Sequence, residues 1–407
     1  MSATLARATV DATWRGLTSW PTPFQSPAWY QAAGFASSVI PVSAGDQGGS
    51  PAALVPVWEV REPAHYYHAP RSVLFGEREE RLASDGAGLR SLRAADWGAS
   101  LVTVSPFGYR GGAIAAVEQP PGVFRELALA LVGHARRRGA RVLLSHFLFE
   151  DEDGRWIRAL VEVGGIPLVL GAQAVLPVSW SSVDEYLSRL HQGHRSLRER
   201  QERGDPGLAW TAHDHPGPGP GQGGLASLLR ERLLRHDQAA APLSLLEAIV
   251  EGASMPRVLF SVGELGAPAR SGLAALVQGT TLYPKFVAAA RADHDYFPLV
   301  FARVVEYAIA KGYRMVDYGG GSHQAKLARG CGLRFALGVV FFFDSRLLAV
   351  AAPAARQLSR AKVEDFRALA RRWHPQEVAP AMPAVLQGLD RTEESTGSTR
   401  STAATGT

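Results

Sequence analysis

The stretch "DYGGGSHQAKLARGCG", residues 317 to 332, gathers an acid, three glycines, a hydroxyl, an imidazole and two cations. It follows a strand-like run and leads into a short helical segment, so Lys326 and Arg329 stand at i,i+3 on one side. Backbone N–H groups at such a turn can meet an anion. One reading is therefore a grip on a donor phosphate by Lys326 and Arg329, beside Gly319, Gly320 and Gly321. The other is a tight turn with solvated charges. Two familiar phosphate loops are excluded. Lys326 lies between Ala325 and Leu327, not between the Gly and Ser/Thr of a P-loop, and Gln324 stands where a dinucleotide fingerprint needs its third Gly. His323 titrates near neutrality and is a candidate base toward an attacking amine. Asp317, beside Tyr318 at the strand end, is another, by taking the proton or orienting the amine.

Further signals lie upstream. In "RLHQGHRSLRERQERG", Arg195 and Arg198 share a helix face, with Arg200 and Arg203 adding charge. That pattern suits phosphates of tRNA or of a pantetheine-linked nucleotide; Glu199 and Glu202 also suit a solvated face. In "TTLYPKFVAAA", Tyr283 and Lys285 either line an acyl pocket or belong to a half-buried strand pair. Acetyl-CoA enzymes hold pyrophosphate with [QR]-x-x-G-x-[GA]. The nearest approach, "RRRGAR" at 136 to 141, ends in Arg and precedes a strand, which weakens a CoA donor without excluding it. Cys331 reads as a small buried hydrophobe. The twelve histidines show no metal-ligand spacing, so no metal is expected.

These residues need a scaffold. The chain has 407 residues, 46% hydrophobic and 20% charged, enough for two ordinary domains. The formal charge is +5, and 39 of the 43 basic residues are arginine. A single cysteine, no apolar leader and no long apolar run lead to the expectation of a cytoplasmic protein. "PFQSPAWYQAAG" reads as a helix with Ser26 at the N-cap and Pro27 at its first position. "PAALVPVWEV" and "ASLVTVSPFG" read as strands, and "VFRELALALVGHARRRGARVLLSHFLF" as helix then strand. The pattern then restarts. "SSVDEYLSRLHQGHRSLRERQERG" opens at a Ser182/Glu185 capping box, with Leu187, Leu190, His194 and Leu197 on one face. Strands "RVLFSVGEL", "SGLAALVQGTTLYP" and "KFVAAARAD" follow. Next come the helix "YFPLVFARVVEYAIAKG", the strands "YRMVDYG" and "RFALGVVFFFD", and a basic C-terminal helix. The Pro/Gly-rich piece at 213 to 224 reads as a flexible excursion.

In order and spacing, "PFQSPAWYQAA", "LVTVSPFGYRGG", "LLSHFLF", "WSSVDEYLSRLHQGHRSLRERQERG" and "EYAIAKGYRMVDYGGGSHQAKLARG" resemble the peptidoglycan biosynthesis/recognition proteins of the GNAT acyltransferase superfamily. These are similar in turn to Fem-type transferases, which use aminoacyl-tRNA to extend cell-wall precursors. The resemblance covers roughly residues 20 to 345. It implies an α/β (α+β) fold of two tandem GNAT-like domains around a central cleft. The expected parts are 1–178, 179–350, a C-terminal helical segment 351–387 and a disordered tail 388–407. The donor would sit in the second half and an amine acceptor in the cleft, with aminoacyl-tRNA the favoured donor, acyl-CoA the second, and no further cofactor. Two departures stand out. Tyr296-Phe297-Pro298 replaces His-Phe-Glu, and Ser322-His323-Gln324-Ala325-Lys326 replaces Gln-Gly-Glu-His-Lys. With both acids gone, the acceptor is expected to be either a cell-wall-type precursor or a specialised small metabolite, and a non-catalytic binding module is the competing class.

Overall fold

The structure is a computed structural model. It describes residues 17, 20–33, 40–44, 52–61, 68–76, 89, 91–115, 121–190, 208–214, 225, 227–231, 243–250, 255–264, 269–289, 295–374, 380 and 383–386.

The first half runs α1 (Pro27–Ala32), β1 (Ile40–Ala44), β2 (Ala53–Arg61), α2 (Pro70–Leu74), α3 (Ala94–Trp97), β3 (Ala99–Val102) and β4 (Ile114–Ala115). It continues through α4 (Val123–Arg137), β5 (Val142–Leu148), α5 (Glu150–Glu162) and β6 (Ile166–Pro177). The second runs α6 (Val183–Arg189), β7 (Leu208–His213), α7 (Leu243–Val250), β8 (Arg257–Glu264), β9 (Ser271–Gln278) and β10 (Thr281–Ala288). A π-type turn, Pro298–Arg303, leads into α8 (Val304–Lys311), followed by β11 (Met315–Asp317), α9 (His323–Leu327), β12 (Gly332–Phe342) and α10 (Ser345–Trp373).

Local rules account for many boundaries. Ser26 caps α1, its Oγ accepting from Trp29 N at 3.2 Å, with Pro27 at the first position. Gly312, at φ 73°, ends α8 in the left-handed conformation glycine adopts at no steric cost. The Ser182 cap is present, but Glu185 reaches back to Ser181 instead, and the helix stops at Arg189 because Leu190 is already extended. Leu187 and Leu190 of the expected face are thus described, while His194 and Leu197 lie outside the described residues. Two strand limits also differ from expectation. β9 and β10 divide at the Gly279–Thr280 turn, and Pro284 lies inside β10 next to a β-bulge, one of the sheet positions where proline is tolerated. β3 stops at Val102, leaving 103–112 irregular.

The mixed α/β architecture with two halves of related design is what the structure shows. Each half contains a parallel β–α–β step, β3–α4–β5 in the first and β10–α8–β11 in the second. Among the described residues the strands form one 12-stranded sheet, ordered β1-β2-β3-β5-β12-β6-β11-β10-β9-β8-β7, with β4 on β2. The halves exchange their last strands. β12, from the second half, lies antiparallel between β5 and β6, and β6, from the first, pairs with β11.

Period-two alternation divides the core between the faces of the sheet. Along β12, Phe335, Leu337, Val339 and Phe341 enter one cluster, while Val340 and Phe342 enter another. A third cluster, with Leu282, Phe301, Val304, Val316 and Cys331, fills the second half. Helix α10 serves both of the first two, through Leu347, Ala351 and Leu358 on one side and Val363 and Phe366 on the other. It also supplies a polar bond to the sheet: Ser359 Oγ accepts from Val169 N in β6 at 2.7 Å. Among the described residues, no helix is long and apolar enough to cross a membrane. The tail expected beyond 388 lies outside the described residues.

Replacing Ser359 by Ala leaves the Val169 N–H buried without its acceptor. The expected cost is about 1–3 kcal/mol, read as a lower denaturant midpoint at unchanged slope. An unshifted midpoint would show that this bond does not hold α10 to β6.

Candidate functional site

Strands β10 and β11 run parallel for two pairs, Thr281 with Met315 and Leu282 with Val316. Beyond them the strands part, because the register shift between Pro284 and Phe286 leaves Lys285 as the extra residue of a bulge. Tyr283 and Lys285 come from one side of this opening and Asp317 from the other. Asp317 lies within electrostatic reach of both Tyr283 and Lys285. Withdrawal from water lowers Lys285 to about 7, a shift that the Asp317 charge partly offsets. Burial pushes Tyr283 up to about 12, so it stays a phenol.

The irregular segment after β3 reaches across from the first half. Lys285 Nζ donates to Phe107 O at 2.5 Å and lies 3.9 Å from the centre of the Tyr109 ring. Phe107 and Tyr109 have φ of 56° and 54°, a region that bulky residues occupy only when their surroundings hold them there. The surroundings are visible. Ser105 N donates to Arg110 O at 2.6 Å, Gly111 N to Phe147 O at 3.1 Å, and Gln25 Nε2 to Gly111 O at 2.7 Å. A side chain on Gly111 would strike the His146 carbonyl.

Arg110, on the same segment, reaches Asp317. Its guanidinium is buried, donating to Glu152 Oε2 at 2.7 Å and, at 3.4 Å, to Asp317 Oδ2. Arg334 of β12 bonds Glu152 and Asp151 of α5 at 2.6 and 3.0 Å, and approaches Asp317 at 3.9 Å. Both guanidinium carbons lie 4.1 Å from the centre of the buried Phe149 ring. Asp317 Oδ1 also accepts from Gly319 N at 2.9 Å. Nearby, Asp153 accepts from Phe149 N at 2.9 Å, and burial raises its carboxyl to about 7.

The glycine turn differs from the sequence expectation. Lys326 is buried, and its Nζ donates to the carbonyls of Tyr318, Gly319 and Gly320 at 2.7, 3.0 and 2.8 Å. An ammonium has three protons, and all three are used inside the protein, so Lys326 shapes the turn and is not a phosphate ligand. Burial lowers it to about 8. Gly319 and Gly321, at φ 66° and 74°, supply the left-handed backbone that lets successive carbonyls converge on one cation. Arg329 is also turned inward. It bonds Ala325 O at 2.9 Å, with its guanidinium 4.0 Å from the Phe297 ring centre and 4.7 Å from that of Phe301. It is 4% exposed, so it does not present a cation to open solvent. Tyr318 packs 4.8 Å from Phe301. His323 is linked through Nε2 to Ala172 O at 2.8 Å, with its ring edge against Phe366.

The structure thus brings Tyr283, Lys285, Asp317 and the glycine turn together, and it recasts Lys326 and Arg329 as supports. Arg195, Arg198, Arg200 and Arg203 lie outside the described residues. Sequence reasoning missed Arg110, Glu152, Phe149 and Arg334. Arg110 lay in plain view within "SPFGYRGG". A second signal was available: the chain has only four lysines among its 43 basic residues, and Lys285, Lys326 and Lys362 each place Nζ on backbone carbonyls. Cys331 is buried and pushed up to about 12 by that burial, which fits a packing role. Among the described residues no three His, Cys, Asp or Glu side chains cluster as metal ligands do.

No protein-family model matches the chain, and no curated protein matches it. Among solved structures it is similar to FemX at 11% identity and a TM-score of 0.52, over 86% of this chain and 100% of that one. It is also similar to L-PGS from Bacillus licheniformis, at 10% identity and 0.48, covering 86% and 96%. The C-terminal domain of a putative lysylphosphatidylglycerol synthetase from Agrobacterium fabrum gives 11% and 0.49, covering 85% and 96%. What this chain shares with FemX at that identity is the fold.

Two measurements test the site. Replacing Arg110 by Met takes the nearer guanidinium from buried Asp317, leaving it the Gly319 N–H and Arg334 at 3.9 Å, and should lower stability by about 1–3 kcal/mol; a loss within about 0.5 kcal/mol would remove the cluster from its structural role. The second concerns pH. Between about 7 and the ordinary lysine value near 10.5, the unfolded chain holds a proton on Lys285 that the folded chain lacks. Stability should therefore rise with pH across that window. For Asp153 the sign is opposite, the folded chain holding the extra proton between about 3.8 and 7, so stability should fall there. Lys285→Met should flatten the first slope between about 7 and 8, reduce it above that, where Lys326, lowered to about 8, contributes with the same sign, and leave the second, as followed by denaturation at a series of pH values.

Proposed function

We propose that the protein is an amide-forming N-acyltransferase that moves an aminoacyl group from aminoacyl-tRNA to an amine. The amine belongs to a small metabolite or a cell-wall-type precursor. The observation carrying this reading is Lys285: a lysine lowered to about 7, at a strand bulge, facing an acid across the opening between two parallel strands. Amide formation from an activated ester needs a group that takes a proton from the attacking nitrogen and returns one to the leaving oxygen. Near neutrality Lys285 exists in both states. The neutral form accepts the proton as nitrogen bonds to the ester carbon. The resulting ammonium faces the developing oxyanion and then protonates the departing ribose oxygen. Asp317, fixed by Arg110 and the Gly319 N–H, lies within electrostatic reach of that ammonium. No covalent enzyme intermediate is required.

The tRNA donor is supported by the resemblance to Fem-type transferases, by the FemX-like fold and by the missing pyrophosphate motif. Acyl-CoA is the second donor class.

The test is incubation of the full chain with aminoacyl-tRNA and an amine panel, with and without RNase, and in parallel with acyl-CoA. Amide formed only with intact tRNA supports the reading, amide from acyl-CoA alone replaces the donor, and no turnover with either overturns it. Lys285→Met should lower kcat about 10²–10⁴-fold with little change in donor KM, and the wild-type rate should climb as pH rises through about 7. Full kcat in that variant would remove Lys285 from the chemistry.

A further inference from the structure

Helices α9 and α10 frame a hollow of about 450 Å³ that the acyl-transfer reading does not use. Its walls are His323 and Gln324 from α9 and Asp365, Phe366, Leu369 and Arg372 from α10. The spacing along α10 gives the hollow a direction. Residues 365 and 372 are seven positions apart, two turns on one face, or roughly 10.5 Å along the axis. A carboxylate therefore stands at one end and a guanidinium at the other, both on exposed residues. Between them the floor is apolar. Phe366 is buried beneath it, its ring held by the edge of His323 at 5.0 Å and by Phe335 at 6.4 Å. Leu369 is half-buried beside it. His323 is itself tied by its bond to Ala172 O.

We propose that this hollow binds an extended zwitterion: an ω-amino acid or a short peptide with its ammonium on Asp365, its carboxylate on Arg372 and its apolar stem over Phe366 and Leu369. The charges select for length. An α-amino acid carries both groups on one carbon and cannot meet both ends, whereas a chain of several methylenes can. A carboxylate has about four acceptor positions, so Asp365 can bind an ammonium whatever else it touches. The guanidinium offers the planar fork that suits a carboxylate. Gln324 adds an amide at the rim, able to bond either group. The volume falls within the range of small-molecule sites. The inference stands apart from acyl transfer: it names a ligand site, and binding there is measurable whether or not the protein turns over.

The experiment is calorimetric titration of the full chain with 6-aminohexanoate, with hexanoate, hexylamine and glycine as partial probes. Asp365→Asn and Arg372→Ala are exposed changes, checked by unaltered thermal unfolding. Ala368 lines the same hollow, so Ala368→Trp should fill it. Saturable binding of 6-aminohexanoate, weakened at least about tenfold by either charge substitution and abolished by Ala368→Trp, supports the site. Equal affinity for hexanoate would make it a plain anion site and overturn the proposal. So would binding indifferent to the three variants, or no saturable binding up to roughly 10 mM.

Discussion

A carboxylate removed from water must be held by partners that cannot withdraw, and Asp317 is held this way from several directions. Arg110 comes from the segment after β3, Arg334 from β12, and the Gly319 N–H from the turn that Asp317 itself begins. Moving a charge out of water costs several kcal/mol that only well-placed partners return. The cluster therefore constrains four separate pieces of chain at once. Glu152 and Asp151 tie α5 to the same guanidiniums, and the Phe149 ring gives both a surface to rest on. If any one piece shifts, a buried charge is left exposed to nothing.

The opening at β10 and β11 inherits its shape from that constraint. The bulge puts Lys285 between the Asp317 charge and the Phe107 carbonyl, and the left-handed residues Phe107 and Tyr109 are kept in place by a segment whose next residue is Arg110. Across the opening, Lys326 gathers three carbonyls and so sets the turn that presents a backbone N–H to Asp317. Burial loosens the hold of both lysines on their protons, that of Lys285 further. Their partners differ: Lys326 has three carbonyls, Lys285 one carbonyl and the rings of Tyr109, Phe24, Trp29 and Phe286.

Much of the architecture was legible because it rests on local chemistry. Ser26, Pro27 and Gly312 mark helix ends by their own side-chain and backbone preferences, and the alternation in "RFALGVVFFFD" announces a strand covered on both faces. The repeated strand–helix–strand pattern showed two halves of one design. What was not legible depends on residues far apart in sequence. Arg110 and Asp317 are separated by 207 positions, and no local pattern reports their meeting. Lys326 was read as an outward cation because i,i+3 spacing tells which side of a helix a residue occupies, not whether that side faces water. Pro284 looked like a strand terminator because the bulge that accommodates it is set by pairing with β9.

The exchange of β6 and β12 bears on how the chain assembles. During synthesis from the N-terminus, β5 and β6 emerge long before the strand that separates them. The slot between them stays empty until residues 332 to 342 leave the ribosome. Until then the edges of β5 and β6 that β12 covers in the folded chain lack that partner, the kind of unpaired edge that favours aggregation. Joining strands so distant in sequence also raises contact order, which argues for slow folding. A cut in the polypeptide between the halves after folding would leave them interlocked.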